Sequence, residues 1–435
     1  MNVVIIGGGL TGLCAAYCLS KYGVNYQLVE KENTIGGLCR TDEFEGFLFD
    51  KTLHVLHFTD KFVLNMLSNE IGVGFSEIKR KAMIYHSGEL IPYPFQSYFY
   101  LHSNKKLKEE CINGLMNINK KNISTKIENF EDYVLTYFGK GISKHFMIPY
   151  NEKLWKIPLS NLSYDWAKRF VPIPDSNEII SMANRNIQYD DREWGYNVHF
   201  KYPSEGGTQS IPQKIYDKLN KNNIYLSKEV KRIDINQKIV ISVDGEIFPY
   251  DYLISTMPLL ELIATIDNIP TQIYSYIDKL QYISLISINL GISGELEHKA
   301  HWIYYPEKKF IFHRLGFPSN ISSNLAPSGT FSLSAEISYL PSTSINIPKI
   351  QKELLRELKS LKIIKNLNDI NVSICNNINY AYIIYNKYYN TSLNVIHDYL
   401  LKHQIHSVGR YGQWKYSTMA DDIVDGLETA KSLCG

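Results

Sequence analysis

The sequence lacks a strong net charge and any clustering of its few cysteines. Its 435 residues carry 46 lysines plus arginines against 44 aspartates plus glutamates, a formal net charge of +2. No broad basic surface favours nucleic acid, so any anion site has to be local. The six cysteines form no C-x-x-C pair and no cluster with histidine, which is typical of free thiols in a reducing compartment. These absences predict no nucleic-acid partner and no metal site.

Long hydrophobic runs are also missing. No apolar run reaches about 18 residues without a charge, the length needed to span a bilayer. The nearest, residues 253–266, contains Pro258 and Glu261. The first buried strand is predicted from residue 3, which leaves no room for a signal peptide. We therefore expect a cytoplasmic protein with no membrane span, and the length predicts two or three domains.

A glycine-rich turn follows the first predicted strand. Four β-formers, residues 3–6, lead into Gly7-x-Gly9-x-x-Gly12 and an apolar helical pattern. Gly7 permits the tight turn, Gly9 lets backbone approach a pyrophosphate, and Gly12 lets helix and strand pack closely. A second strand ends in Glu30, near the roughly 20-residue spacing of the acid that binds an adenosine ribose. The pattern predicts a dinucleotide site, the alternative being an ordinary glycine-rich turn.

The segment after Glu30 selects the cofactor by resemblance. Residues 30–40 contain a glycine pair and end in Arg40, and they resemble the E-(x)-GG-x-x-R segment of FAD enzymes with the glutathione-reductase-like fold. The resemblance implies FAD rather than NAD, with Gly37 passing close to the cofactor and Arg40 reaching a phosphate. It also implies an α/β fold class with a Rossmann FAD domain.

The coarse pattern divides the chain into three parts. We predict that residues 1–70, 200–260 and 400–435 form a discontinuous FAD domain. Residues 71–199 are predicted to form a mainly helical insertion, and residues 261–399 an antiparallel-sheet substrate domain. Within these parts the apolar alternation predicts strands over 310–315 and 408–410, and the polar composition near 176–192 predicts a loop or surface segment.

Several separated segments resemble one family, the FAD-dependent UDP-galactopyranose mutases and their mutase-like relatives. They are residues 149–155 (PYNEKLW), 162–169 (LSYDWAKR), 200–207 (FKYPSEGG), 301–306 (HWIYYP), 313–314 (HR) and 409–416 (GRYGQWKY). Family enzymes interconvert the pyranose and furanose forms of a nucleotide-diphosphate sugar, and reduced flavin N5 attacks the anomeric carbon. The resemblance implies such an isomerase, supplying a surface-polysaccharide precursor. It also implies that the FAD works in its reduced form, with NADPH or another reductant, and it leaves a homo-oligomer open.

The resemblance also implies roles for individual residues. Arg169 and Arg314 match two arginines that bind the diphosphate, a group that favours planar, permanently charged donors. With His54, which matches a histidine beside the flavin, they are the candidate catalytic residues. Further predicted cofactor contacts are Val230, Gly409, Arg410 and Asp422. The predicted substrate contacts are Asn151, Trp155, Trp166, Tyr305, Tyr382, Tyr385 and Tyr416.

Other interpretations stay open. An oxidoreductase or desaturase of the amine-oxidase and protoporphyrinogen-oxidase type shares the FAD fold, and the fold alone cannot choose. A flavin-binding protein without catalysis has no sequence feature in its favour. A metal pair at His54 and His57 lacks a carboxylate or thiol at ligand spacing.

Residues 51–53 (KTL) replace the family's glycine pair, so the sugar is not fixed by the resemblance. Arg169 and Arg314 favour the mutase, because a hydrophobic or amine substrate would not need them.

Overall fold

The fold is described from a computed structural model for residues 1–57, 61–120, 126–173, 175–185 and 198–435. Its strands are β1 (Asn2–Ile6), β2 (Asn25–Val29), β3 (Thr41–Phe44), β4 (Phe47–Asp50), β5 (Phe75–Lys79), β6 (Ala82–His86), β7 (Glu89–Pro92), β8 (His199–Pro203), β9 (Ile224–Tyr225), β10 (Val230–Asp234), β11 (Ile239–Ser242), β12 (Ile247–Pro249), β13 (Tyr252–Ser255), β14 (Gln281–Ser293), β15 (Trp302–Tyr304), β16 (Arg314–Gly316), β17 (Thr330–Tyr339), β18 (Ile370–Ile384) and β19 (Ile405–Ser407). Its α-helices are α1 (Leu10–Lys21), α2 (Lys61–Asn65), α3 (Phe95–Tyr98), α4 (Lys105–Lys120), α5 (Phe130–Ile142), α6 (Ile148–Trp155), α7 (Ala167–Phe170), α8 (Ser176–Asn184), α9 (Ser210–Asp217), α10 (Leu259–Thr265), α11 (Thr271–Ile277), α12 (Pro318–Ile321), α13 (Ile347–Ser360), α14 (Tyr389–Lys402), α15 (Gly409–Gly412) and α16 (Met419–Ser432).

The first strand, β1, lies in the middle of a five-stranded parallel sheet. Its order is β19-β13-β1-β2-β9, and β1 pairs in parallel with β13 and β2. The four apolar residues 3–6 are all buried, as expected for a parallel strand covered on both faces. Helix α16 packs on α1 at Gly426, where an added Cβ would lie 2.2 Å from the carbonyl oxygen of Thr11. Glycine at that position therefore allows the two helices to approach closely.

A seven-stranded sheet forms the second large element. Its order is β18-β14-β17-β16-β15-β6-β7. The long strands β14, β17 and β18 pair antiparallel, whereas β15 pairs with β6 in parallel. Strands β6 and β7 come from the region that we predicted to be mainly helical. The sheet therefore draws on residues outside 261–399, and an aromatic core joins it to helices α3 to α6.

Two local predictions differ from the structure, and a third is made more specific by it. Residues 310–313 form a turn before β16, because Phe310 and Phe312 pack into an aromatic cluster with Tyr305 rather than along a sheet. The closing strand is β19, which ends one residue before the predicted 408–410. The segment at 176–192, predicted as a loop or surface segment, contains α8, which is capped where Asp175 accepts the backbone N–H of residues 177 and 178. The remainder of that loop, from residue 186, lies outside the described residues.

The described residues were compared with the requirements for a membrane-spanning helix and for a metal site. None of the described helices is long and apolar enough to cross a bilayer. The apolar run at 253–266 is divided between β13 and α10, and Pro258 precedes the first residue of α10. Over the same described ranges, histidine, cysteine, aspartate and glutamate side chains form no group of three suited to a metal ion.

Candidate active site

A cavity of about 760 Å³ lies where the two large sheets meet. The residues that follow β1, β2, β13 and β19 form one wall, at the carboxyl edge of the parallel sheet. Strand β18 and the loop at 52–55 form the opposite wall. Crevices at the carboxyl ends of parallel strands are the usual ligand sites of such sheets.

The glycine turn shapes one end of the cavity. Gly7 has a φ of 103°, and a Cβ there would lie 2.1 Å from Thr256 Oγ1. A Cβ on Gly12 would lie 2.0 Å from the carbonyl oxygen of Gly7. Gly9 differs, because no protein atom lies within 4 Å of its Cβ position and its φ is −77°. Gly7 and Gly12 are thus required by the protein itself, whereas the space at Gly9 is available to a ligand.

Glu30 and Arg40 bring polar groups to the same end. Glu30 Oε2 accepts the backbone N–H of Gly8 at 2.5 Å, and Oε1 accepts that of Glu32 at 2.9 Å. These bonds fix the carboxylate at the end of β2. The Nε of Arg40 is buried and has no hydrogen-bond partner within the described chain. A buried, unpartnered guanidinium N–H on a cavity wall fits a phosphate oxygen.

The segment after β19 closes the floor of the cavity. Gly409 has a φ of 77°, and a Cβ there would meet Thr11 Oγ1 at 2.6 Å. Arg410 donates from Nη1 to the Ser417 carbonyl at 2.7 Å and from Nη2 to the Ala381 carbonyl at 3.0 Å. Every predicted cofactor contact except Gly12 lines the cavity. Together with the open space at Gly9, these residues fit FAD: the glycines border it, and Glu30 and Arg40 supply polar contacts.

A buried ion pair lies on the opposite wall. Arg314 Nε and Nη2 donate to the two carboxylate oxygens of Glu336 at 2.9 and 2.7 Å, which leaves Arg314 Nη1 outside the pair. Burial alone would raise the pKa of Glu336, but Arg314 and the neighbouring His313 hold it at about 2. The pair is therefore ionised, and Arg314 presents a permanent charge to the cavity.

His54 faces the same region as an uncharged imidazole. Burial and the nearby cation of Arg410 lower its pKa to about 4. The hydroxyl of Thr52 lies 3.0 Å from His54 Nδ1. Both residues line the cavity. At neutral pH His54 thus offers one N–H and one lone pair, and it can hold or pass a proton without adding net charge.

Tyrosines complete the substrate side of the cavity. Tyr382 and Tyr416 line it with their rings 6.4 Å apart and nearly parallel. Tyr385 lies behind them, where its hydroxyl oxygen accepts the backbone N–H of Tyr416 at 2.6 Å. Tyr304 lines the cavity, whereas the predicted Tyr305 is buried among aromatic rings outside it. Successive side chains of β15 point to opposite faces, so Trp302 and Tyr304 share the cavity side.

Four further predicted residues lie outside the cavity lining. Asn151 donates to the carbonyl of Met147 within its own helical segment. Trp155 and Trp166 contact each other, with ring centroids 5.1 Å apart, in the aromatic core behind Tyr382. The guanidinium of Arg169 is half-exposed and pairs with Asp421 at 3.1 Å. The structure therefore does not bring Arg169 together with Arg314, and the roles of these residues stay predictions.

Two cavity residues were missed although the sequence carried a signal for each. Glu336 is the one charged residue of β17, whose remaining residues are apolar, hydroxyl-bearing or aromatic. A charge inside such a strand needs a partner, which pointed to a site. Tyr304 shares a face with Trp302 by simple alternation. Phe170 also lines the cavity and packs against Tyr416 at 4.6 Å, a contact between distant segments that no local pattern indicates.

Comparison with known proteins gives two kinds of similarity. The family of flavin containing amine oxidoreductases matches residues 10–361. A solved structure of reduced UDP-galactopyranose mutase is 29% identical, with a TM-score of 0.92 over 99% of this chain and 95% of that one. This similarity confirms the predicted α/β fold class and the resemblance stated above.

More distant relatives include oxidizing enzymes. A structure from an Exiguobacterium species, provisionally assigned as a protoporphyrinogen oxidase, is 16% identical with a TM-score of 0.75 over 100% of this chain and 98% of that one. At that identity it shows the fold alone. The 4,4'-diaponeurosporene oxygenase of Staphylococcus haemolyticus is 30% identical over 157 residues, which are 33% of this chain and 29% of that relative. The match thus spans less than a third of that curated relative.

Proposed function

The chain belongs to the flavin containing amine oxidoreductase family and uses FAD, and within that family we propose that it is a nucleotide-sugar mutase. It would interconvert the pyranose and furanose forms of a nucleotide-diphosphate sugar. The observation that carries the proposal is the charge of Arg314 on the cavity wall, together with the high similarity to reduced UDP-galactopyranose mutase. An amine or an apolar substrate gives no reason to hold a permanent cation there.

The residues of this chain have distinct tasks in the proposed reaction. Bound in its reduced form, FAD supplies the nucleophilic nitrogen that the chemistry requires. Arg314 Nη1 binds the diphosphate and stabilises the negative charge that grows on it as it leaves. The hydroxyls of Tyr382 and Tyr416 add neutral donors on the same side. His54 holds or passes a proton at its imidazole nitrogens, and the buried walls exclude water.

The glutamate partner of Arg314 has a task of its own. A buried arginine without a counter-ion carries a large desolvation cost. Glu336 supplies the counter-ion for Arg314 and offsets this cost. The pair is neutral as a whole, but Arg314 Nη1 lies outside it and can still donate to a phosphate oxygen. Specificity for a diphosphate then depends on the added donors around it, such as Tyr304 and Tyr416.

An Arg169→Ala variant tests whether Arg169 is the second arginine of the predicted diphosphate site. Replacing Arg169 by alanine should change the free energy of unfolding by less than about 1 kcal/mol, because exposed ion pairs contribute little. Turnover should fall about tenfold or more if the guanidinium leaves Asp421 for a phosphate oxygen, a charge-assisted bond worth roughly 1.5–3 kcal/mol. Steady-state kinetics with Lys168→Ala as the neighbouring control measures this. Unchanged kinetics in Arg169→Ala would place the second phosphate contact elsewhere.

The proposed function is tested with a panel of nucleotide-diphosphate sugars, each in pyranose and furanose form. We expect ring interconversion by the enzyme after reduction with dithionite or NADPH, and none by the strictly oxidised enzyme. Products are separated by chromatography, and the flavin absorbance shows that the cofactor is not consumed. Activity of the oxidised enzyme would refute the proposal. Substrate-dependent consumption of oxygen with an amine or an apolar substrate would support the oxidoreductase alternative instead.

A further inference from the structure

Asp422 is a buried carboxyl group in the cofactor half of the cavity. It lies in the first turn of α16 and lines the cavity beside the Gly409 turn. Its Oδ1 accepts a hydrogen bond from the Ser417 hydroxyl at 2.7 Å. That hydroxyl is its only hydrogen-bond partner in the described part of the chain. A carboxylate buried in a cavity that takes an anionic ligand needs more compensation than one hydroxyl.

The charged neighbours of Asp422 do not supply that compensation. The cation of Arg410 lowers the pKa of Asp422, but its two terminal nitrogens donate to backbone carbonyls rather than to the carboxylate. Lys415 pairs with Asp425 at 2.8 Å, and Asp425 itself repels Asp422. The groups that face Asp422 are Arg410 and Tyr411 of α15, Lys415 and Ser417 of the connecting segment, Asp425 of α16, Cys14 of α1, and Cys39.

The balance of these groups favours the protonated acid. Burial raises the pKa of Asp422 to about 6, against the opposing effects of Ser417 and Arg410. Burial also raises the pKa of the Cys14 and Cys39 thiols, so neither adds charge near neutral pH. The diphosphate of FAD carries two negative charges. Its arrival in the same cavity adds repulsion that disfavours the carboxylate further.

We propose that Asp422, buried in the cavity wall with the Ser417 hydroxyl as its hydrogen-bond donor, holds FAD as a neutral carboxylic acid, so that cofactor binding takes up one proton from solvent wherever the free protein carries the carboxylate. The acid keeps the hydrogen bond from Ser417 and gains an O–H that donates to an oxygen of the cofactor. Where Asp422 is ionised in the free protein, it has to be protonated before FAD binds tightly. The inference rests on FAD binding, which the family establishes, and not on the mutase reaction.

The test is the pH dependence of FAD release from the holoenzyme. The full-length holoenzyme is diluted to nanomolar concentration, and free FAD is measured by the recovery of flavin fluorescence. For one linked proton we expect the Kd to rise roughly tenfold per pH unit from about pH 6 to about pH 8. His54 stays neutral throughout this range, since its pKa is about 4. Proton uptake by the imidazole therefore does not contribute to the slope.

Matched variants separate Asp422 from its surroundings. Asp422→Asn mimics the neutral acid, so it should bind FAD at about pH 8 as tightly as the natural protein does at about pH 6, with no slope. Asp425→Asn, one helical turn further and outside the cavity lining, should keep the slope. The proposal is overturned if the natural protein shows no slope or if Asp422→Asn retains it. It is also overturned if Asp422→Asn cannot hold FAD at pH 6, because the neutral mimic should suffice.

Discussion

Replacing Arg314 and Glu336 together by glutamine should leave FAD bound and remove most of the nucleotide-sugar turnover. The buried pair is exchanged for two neutral amides, so no unpaired charge is left buried while the cavity loses its permanent cation. Glutamine is shorter than arginine and does not repeat both hydrogen bonds of the pair. A charge-assisted bond to the diphosphate is worth about 1.5–3 kcal/mol, which corresponds to roughly 10- to 150-fold in kcat/KM. Flavin absorbance of the purified variant and kinetics on the reduced enzyme measure the two effects separately.

The double replacement avoids a confounding loss of stability. Arg314→Ala alone would leave the carboxylate of Glu336 buried and unpaired, at a cost of about 3–5 kcal/mol. Arg356→Gln is the matched control, because that arginine pairs with Glu353 on the exposed face of α13. It should change neither property. Loss of FAD from the double variant would place Arg314 in the cofactor half of the cavity, and retained turnover would remove it from the diphosphate site.

Alanine at Gly9 and alanine at Gly12 should both abolish tight FAD binding, but for different reasons. A Cβ at Gly12 collides with the Gly7 carbonyl in the protein itself, so the fold should lose about 1–3 kcal/mol along with the cofactor. A Cβ at Gly9 meets no protein atom, and the φ there suits any residue. Gly9→Ala should therefore keep or slightly raise the stability of the cofactor-free protein.

The pair of glycine variants is measured by flavin content and by thermal unfolding with and without added FAD. We expect the Tm of Gly9→Ala to match the natural protein in the absence of FAD and to gain much less from its addition. Normal FAD affinity in Gly9→Ala would show that the cofactor does not approach this part of the turn. Normal stability in Gly12→Ala would mean that α1 can shift away from β1.

Much of the fold followed from patterns within single segments. The β1 strand, the glycine turn, α1 and β2 were predictable because an apolar run, three glycines and Glu30 stand in fixed order. The strands β13, β14 and β17 were recognisable for the same local reason. Predictions from local sequence were wrong where residues distant in the sequence bury the segment. Phe310 and Phe312 alternate like a strand, yet the rings of Tyr305 and Tyr85 bury them in a turn.

The site was predictable in its cofactor half and less so in its substrate half. Predicted cofactor contacts such as Glu30 and Gly409 belong to short motifs, and the structure places these residues on the cavity wall, while their contact with FAD stays a prediction. The substrate half is assembled from β15, β16, β17, β18 and α7, which are far apart in sequence. Whether Tyr304 or Tyr305 faces the cavity depends on strand phase. That Glu336 neutralises Arg314 depends on the pairing of β16 with β17, which no single segment contains.

The order of strands in the parallel sheet has a consequence for how this protein is made. Strand β1 stands at the centre of the sheet, but its neighbour β13 pairs in turn with β19, and α16 packs on α1, the helix that follows the glycine turn. On the ribosome, the glycines that border the cofactor emerge long before Arg410 and Asp422. The nascent chain therefore has an incomplete FAD-binding site through most of its synthesis. FAD can stabilise the complete fold only at a late step. Ligand binding can stabilise only the folded state, so FAD adds its full stabilisation after the last helix has been made.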